Sequence, residues 1–529
     1  MSLRNLLVMT IISSIMCSCS APVEFGTDVH FSLVPPCNQS NAMTGIDRIT
    51  LKASGPGMDG TLVHEASVIG AGVTFPRVPP FSEVSVMAEA YLPTDGNARP
   101  ASAGVSAPID MNSYLPAVSV PLLVARVDSF VRTTRLDGDG FGGCSQPLYD
   151  AGGAANVLLD DGRVLIIGGM AGKAVAPSYL KTITVFDPAK GTFEKAAEMF
   201  WPRAYHTATV VNAGTDRAPR MKVLIVGGLT DREVTVAVVE TFDLSTWKMD
   251  DDVMILKTGV AHHTATRLTG GDVAIIGGQQ KRYDYGVLVT GYSDGITVYR
   301  AGERRFEERV ATMKKPRAWH TATLMEPAGS GEVVYVTGGF NGSSAESTVE
   351  AFENGKSYVL TRPDRQPLSL SEKRYGHVAV GLGDTLVVAG GYTSGSRSTM
   401  FDSDLITART EVLRLHGKKA ATVEAGPAMY EQRAMFTASA IAGDRALLAG
   451  GTGMYGVPLD SAEIMTFTQG EDGRKVVELN HPPARMSAGR SGQAAMTLGS
   501  GQVLISGGSA GKDLWAHTAD LFNPAPASR

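Results

Sequence analysis

Short aliphatic runs recur along most of the chain, and seven of them stop at a Gly-Gly pair: LIIGG at 168–169, LIVGG at 227–228, AIIGG at 277–278, VYVTGG at 338–339, LVVAGG at 390–391, ALLAGG at 450–451 and VLISGG at 507–508. The pairs return every 50 to 61 residues. One such unit cannot bury its apolar face alone, so the period predicts neighbouring units stacked on one another. Upstream of each pair the residues alternate, as in HTATVV after His206, HTATRL after His263, HTATLM after His320 and HVAVGL after His377. This alternation predicts a first strand, joined by a turn such as Asp161-Gly162 or Gly443-Asp444 to the second strand that ends in Gly-Gly. An aromatic strand follows, with Phe186, Phe242, Tyr299, Phe352 or Phe522, and a fourth strand is marked by Phe193, Trp247 or Phe306. Four strands per unit suit one blade of a propeller. The fifth unit departs, since Phe401 follows Gly391 by only ten residues and no clean aromatic match succeeds it.

The Gly-Gly after an apolar strand, the downstream aromatic and the later Trp or Phe together resemble the kelch repeat, over roughly residues 126–529. The resemblance implies an all-β fold, a seven-bladed kelch-type β-propeller. The last unit runs out after one strand near Ala519–Phe522, so its missing fourth strand is expected from residues 127–134, closing the ring without an exposed edge. Before it, Val29–Val34, Ile46–Ala53, Leu62–Val68, Val84–Tyr91 and Ala117–Ala125 read as short strands broken by Pro and Gly. Residues 20–125 are therefore expected to form a small immunoglobulin-like β-sandwich.

Composition changes this picture little. A net charge of −5 gives no dense positive surface, so no nucleic-acid partner is expected. Residues 1–19 carry Arg4, an apolar stretch from Leu6 to Met16 and then Cys17-Ser18-Cys19, which resembles a bacterial lipoprotein signal. Cys19, preceded by the small Ser18, is the expected lipidation site in preference to Cys17. That resemblance implies export to the outer membrane or surface of a Gram-negative envelope, with contact to the membrane through the lipid. Cys37 and Cys144 remain as an even pair in an oxidising compartment and are expected to form a disulfide.

Candidate chemistry lies in two repeated slots. His206, His263, His320 and His377 are each 57 residues apart, with Phe436, Gln493 and Ala154 in the same slot elsewhere. Repeat symmetry spreads them around a ring, which favours packing over metal binding. Three residues earlier stand Arg203, Arg317, Arg374, Arg433 and Arg490, with Val260 and Ala151 in the other two units. In some kelch proteins an arginine at this slot lines the channel mouth and pairs with acidic groups of a partner, and five such forks would suit carboxylate or phosphate. The run at 137–142 begins like a calcium loop, but Phe141 and Leu148 stand where oxygen ligands are needed. Kelch architecture also carries copper radical oxidases, but the cysteine their site needs within the propeller is missing, since Cys144 precedes the first unit. No cofactor is expected. The resulting expectation is a non-catalytic binding or scaffold protein for a protein or glycan ligand, using long variable loops at Gln279–Ile296 and Met400–Met429. The alternatives are a carbohydrate-active enzyme with its site at the channel mouth, and a glycan-binding adhesin.

Overall fold

A computed structural model describes residues 27–526, apart from 40, 45, 57, 59, 68–71, 80, 82, 93–99, 107, 108, 113–118, 135–143, 150, 174, 175, 216, 328–330, 394–404, 472, 482–484, 512, 513 and 517. Cys19 and the glycine-rich turn at 137–142 lie outside the described residues. The N-terminal unit contains two sheets. One holds Gly72–Val78, Thr27–Val34 and Val120–Leu123; the other runs Leu62–Ser67, Arg48–Ser54, Ser85–Tyr91, Ser102–Val105, Ala125–Arg126. Alternate residues of both, including Val29, Phe31, Ile49, Leu51, Val86 and Ala88, are fully buried in one shared core, as period-two patterning requires. Gly72–Val78 and Ser102–Val105 were not expected as strands. The first contains Pro76 and sits at a sheet edge, where a missing N–H is tolerated.

The rest of the described chain forms seven antiparallel sheets of four or five strands, each in the order first, second, third, outer, together with three two-stranded hairpins. In every case the second strand is the aliphatic run before Gly-Gly, for instance Val333–Thr337, and it is buried throughout. Burial on both faces explains why it reads as a continuous apolar run. The first strands, such as Thr207–Asn212 and Thr321–Met325, are mostly half-buried. Each packs against the first strand of the next sheet, and that of the seventh against that of the first. The ring so formed is consistent with a β-propeller.

In the fifth sheet the third and outer strands are Thr410–His416 and Ala420–Ala425. The stretch expected as a variable loop, Met400–Met429, thus contains two strands, with Leu413 where other units place an aromatic. The expected loop Gln279–Ile296 likewise contains a hairpin of Gln279–Asp284 and Val287–Tyr292. Trp247, expected in an outer strand, instead occupies a turn at φ 56°.

The outer strand of the seventh sheet is Ser129–Arg132, paired antiparallel with Ala519–Asn523. Beside it the two units dock. Asn523 donates through Nδ2 to the carbonyls of Ala103 at 3.1 Å and Ala125 at 2.9 Å. Cys37 and Cys144 are joined by a disulfide, and the Cys37 N–H donates to Thr134 Oγ1 at 3.1 Å.

Candidate functional site

The Gly-Gly pairs are where one sheet meets the next. At Gly338, with φ +60°, a Cβ would lie 2.5 Å from the Arg374 carbonyl oxygen and 2.5 Å from His377 Cε1, so no side chain fits. The following Gly339 N–H donates to that same Arg374 carbonyl at 2.8 Å. Equivalent bonds run from Gly169 to Arg203, Gly228 to Val260, Gly278 to Arg317, Gly391 to Arg433 and Gly451 to Arg490. Six of the pairs therefore bind the arginine slot of the succeeding sheet through backbone alone, whichever side chain stands there.

The arginine side chains turn inward. Arg203, Arg317, Arg374, Arg433 and Arg490 are all 0 % exposed, which corrects the expectation that they line a channel mouth and offer forks to a ligand. Each guanidinium pairs with an acid on the third strand of its own sheet: Arg203 with Glu240, Arg317 with Glu350, Arg374 with Glu411 at 2.6 Å, Arg433 with Glu463 at 3.0 Å and Arg490 with Asp520 at 2.7 Å. Nη1 donates to the carbonyl of the first glycine of the pair, from 2.8 Å at Gly338 and Gly390 to 3.2 Å at Gly507. It also donates to the carbonyl two residues before the acid, as at Val238, 3.0 Å away. The carboxylate in turn accepts from a backbone N–H three residues before the arginine, such as Phe200, Lys314 or Ser371. Desolvation pushes the Arg317 guanidinium down and the Glu350 carboxyl up from their ordinary values, while their mutual attraction opposes both shifts. A buried charge pair with its carboxylate and Nη donors satisfied in this way is a structural bolt that burial closes to a ligand. The two units without arginine also lack the acid: Ala151 faces Thr184 and Val260 belongs with Thr297. Losing one partner alone would strand a buried charge, so both are absent together.

The histidines form a second internal ladder. His263 Nε2 meets Thr207 Oγ1 at 2.9 Å, His320 Nε2 meets Thr264 Oγ1 at 3.1 Å, and His377 Nε2 meets Thr321 Oγ1 at 3.3 Å and Thr337 Oγ1 at 3.1 Å. Each bond joins a sheet to its predecessor, through the first strand at Thr207, Thr264 and Thr321 and through the second at Thr337. Where the predecessor offers Val378, the slot holds Phe436; where it offers Thr437, the slot holds Gln493, which also donates to the Ala449 carbonyl at 2.6 Å. His206 is the exception. Its predecessor offers Ala155, and neither ring nitrogen has a partner at hydrogen-bonding geometry. Burial lowers the pKa of all four rings, that of His263 to about 4 and of His320 to about 3. They stand neutral near pH 7. Among the described residues no group of three or more His, Cys, Asp and Glu could hold a metal ion.

With this geometry established, known proteins can be compared. Residues 153–200, which cover the first sheet, match the family model described as the kelch motif. That match spans one of the seven sheets of this chain. No curated protein matches it. A solved structure titled "Structure of YjhT" aligns at 14% identity with a TM-score of 0.43, covering 63% of this chain and 99% of that one.

Between the arginine and histidine slots of each unit lies a further repeated position. Gly153, Tyr205, His262, Trp319, Gly376, Met435 and Gly492 all have positive φ. Their backbones are linked in series, each N–H donating to the carbonyl of the preceding one, from Tyr205 to Gly153 at 2.8 Å through to Gly492 to Met435 at 2.9 Å. They form a collar at the Gly-Gly end of the first strands. Tyr205, His262 and Trp319 stack along one arc, with centroids 4.3 and 4.4 Å apart, whereas glycines occupy much of the other. Burial holds the His262 pKa at about 3, helped by the charges of His263 and Lys281. Beyond the collar the Gln279–Asp284 and Val287–Tyr292 hairpin carries Tyr283, Tyr285 and Val287 exposed at its tip, and Met454, Tyr455 and Val457 are exposed after the sixth Gly-Gly. Positive φ at aromatic residues was the hidden signal for the collar, and periodicity does not encode it.

Proposed function

We propose that this chain is an exported, lipid-anchored, non-catalytic binding protein of the cell envelope, built as a seven-bladed kelch propeller behind an immunoglobulin-like sandwich. On this reading the seven sheets are the blades, Ser129–Arg132 closes the ring, and Cys19 carries the lipid at the outer membrane of a Gram-negative cell. The observation that carries the binding role is the hairpin tip, where Tyr285 is completely exposed and Tyr283 and Val287 are more than half exposed. A rigid sheet that holds aromatic and aliphatic side chains in water supplies the kind of anchor a partner protein buries. The arginines and histidines serve the scaffold, so the ligand is met by loops.

The test is affinity capture from envelope extracts with residues 20–529, beside a glycan array. A protein partner retained by the native chain and lost with Tyr283→Ser plus Tyr285→Ser supports the reading. A glycan that is bound and turned over would replace it with the carbohydrate-active enzyme. Labelling with a radioactive fatty acid that survives Cys17→Ser and disappears with Cys19→Ser tests the anchor.

A further inference from the structure

In six of the sheets a short turn joins the third strand to the outer one, as between Asp187 and Thr192. The seventh has no such turn, so pairing alone joins Ala519–Asn523 to Ser129–Arg132. Thr133 N–H continues that ladder to the Ala519 carbonyl at 3.2 Å. The opposite edge of this outer strand would be a row of unpaired backbone groups. Side chains of the N-terminal unit meet it instead. Arg132 N–H donates to Asn38 Oδ1 at 3.0 Å, while Gln39 Nε2 donates to the Phe130 carbonyl at 3.2 Å and to Ser129 Oγ at 3.1 Å. Cys37, next to these amides, is bonded to Cys144, and Ser145 N–H donates to the Thr133 carbonyl at 2.8 Å. The disulfide therefore ties together the two segments that hold residues 129–134 from outside. Cys144 is exposed and Cys37 half-buried, which leaves the bond within reach of solvent.

We propose that the Cys37–Cys144 disulfide is a redox-sensitive latch on the closure of the ring. Oxidised, it holds the Asn38 and Gln39 amides against the outer edge of residues 129–134; reduced, it lets that segment leave Ala519–Asn523. The reductant is a dithiol. One of its thiolates attacks Cys144 Sγ, the more exposed end, and expels the Cys37 thiolate; its second thiolate then attacks its own first sulfur and releases the Cys144 thiolate. The dithiol ends as a cyclic disulfide, two electrons pass to the protein, and the two protons it gives up are recovered by Cys37 and Cys144. Release bares the edge of Ala519–Asn523, a template on which another strand can add.

The experiment is amide hydrogen exchange on the full-length chain, read by mass spectrometry of its peptides, before and after reduction with dithiothreitol and blocking with iodoacetamide. Exchange over 129–134 and 519–523 is expected to speed up about ten-fold or more on reduction, while Val333–Thr337 of the fourth sheet changes by less than about two-fold. Cys37→Ser combined with Cys144→Ser should reproduce the reduced pattern without any blocking group. Asn38→Ala combined with Gln39→Ala, with the disulfide intact, should give a smaller rise at the same two strands. Unchanged exchange at those strands once both Cys37 and Cys144 are labelled overturns the proposal. An equal rise in all seven sheets also overturns it, since the disulfide is then a general brace, as does failure of dithiothreitol to reduce the bond in the folded chain.

Discussion

The fourth and first sheets are built on one frame and differ at one corner. Both place an aliphatic second strand against a third strand carrying an aromatic, and both end in glycines of positive φ, the second of which donates its N–H to a carbonyl of the next sheet. In the fourth, Arg317 and Glu350 seal the corner; in the first, Ala151 and Thr184 stand there and leave only a small pocket. The difference shows that the ion pair does not create the fold. Backbone contact at Gly-Gly holds the sheets in register, and the charge pair occupies a corner that small uncharged side chains line in the first sheet. A buried charge pair is weak evidence for net stability, although removing one half of it is costly.

The most severe test of this contrast is Arg317→Ala, which leaves Glu350 buried without its counter-charge. We expect a loss of about 3–5 kcal/mol, read from urea denaturation. Combining it with Glu350→Thr copies the first sheet and should recover much of that loss. If the double variant is as unstable as the single one, the pair does more than fill its corner. Next in size, Gly338→Ala sets a Cβ against Arg374 and His377 and should cost on the order of 2–3 kcal/mol. Gly355→Ala, also at positive φ but with open space around it, should cost about 1 kcal/mol.

Acid sensitivity separates the sheets further. The folded pKa of His263 and His320 is depressed, so on acidification the unfolded chain takes up the proton first. The stability they contribute is present above about pH 6.5 and is lost as pH falls toward their folded values, by about 1.4 kcal/mol per pH unit for each ring. Urea midpoints should therefore fall between pH 7 and 5. His320→Gln, which imports the residue native to the seventh sheet, should flatten that dependence. The smallest effect concerns the misfit at the first corner. Ala155→Thr would give His206 the hydroxyl its three counterparts enjoy and should raise stability by about 1 kcal/mol, measured by thermal unfolding.

Much of the frame was legible along the chain. Gly-Gly located every second strand, because an aliphatic run ending at paired positive-φ residues has few other uses. The fifth unit was read less well, since Leu413 replaces the aromatic that marks a third strand, and Met400–Met429 consequently looked like loop. Slot residues were found by spacing, but their roles were not. The period placed Arg203 and its four counterparts at one level of the ring without telling whether they point to solvent or to the third strand. The acids that claim them, Glu240, Glu350, Glu411, Glu463 and Asp520, lie 30 to 37 residues further on.

Sequence by itself determined the repeating strand pattern and its punctuation, because strand period and glycine's backbone freedom are local properties. Tertiary structure alone decided which side chains are available to a ligand. Exposure depends on what another strand brings into the same space: a carboxylate in five sheets, and in the first only the Thr184 hydroxyl.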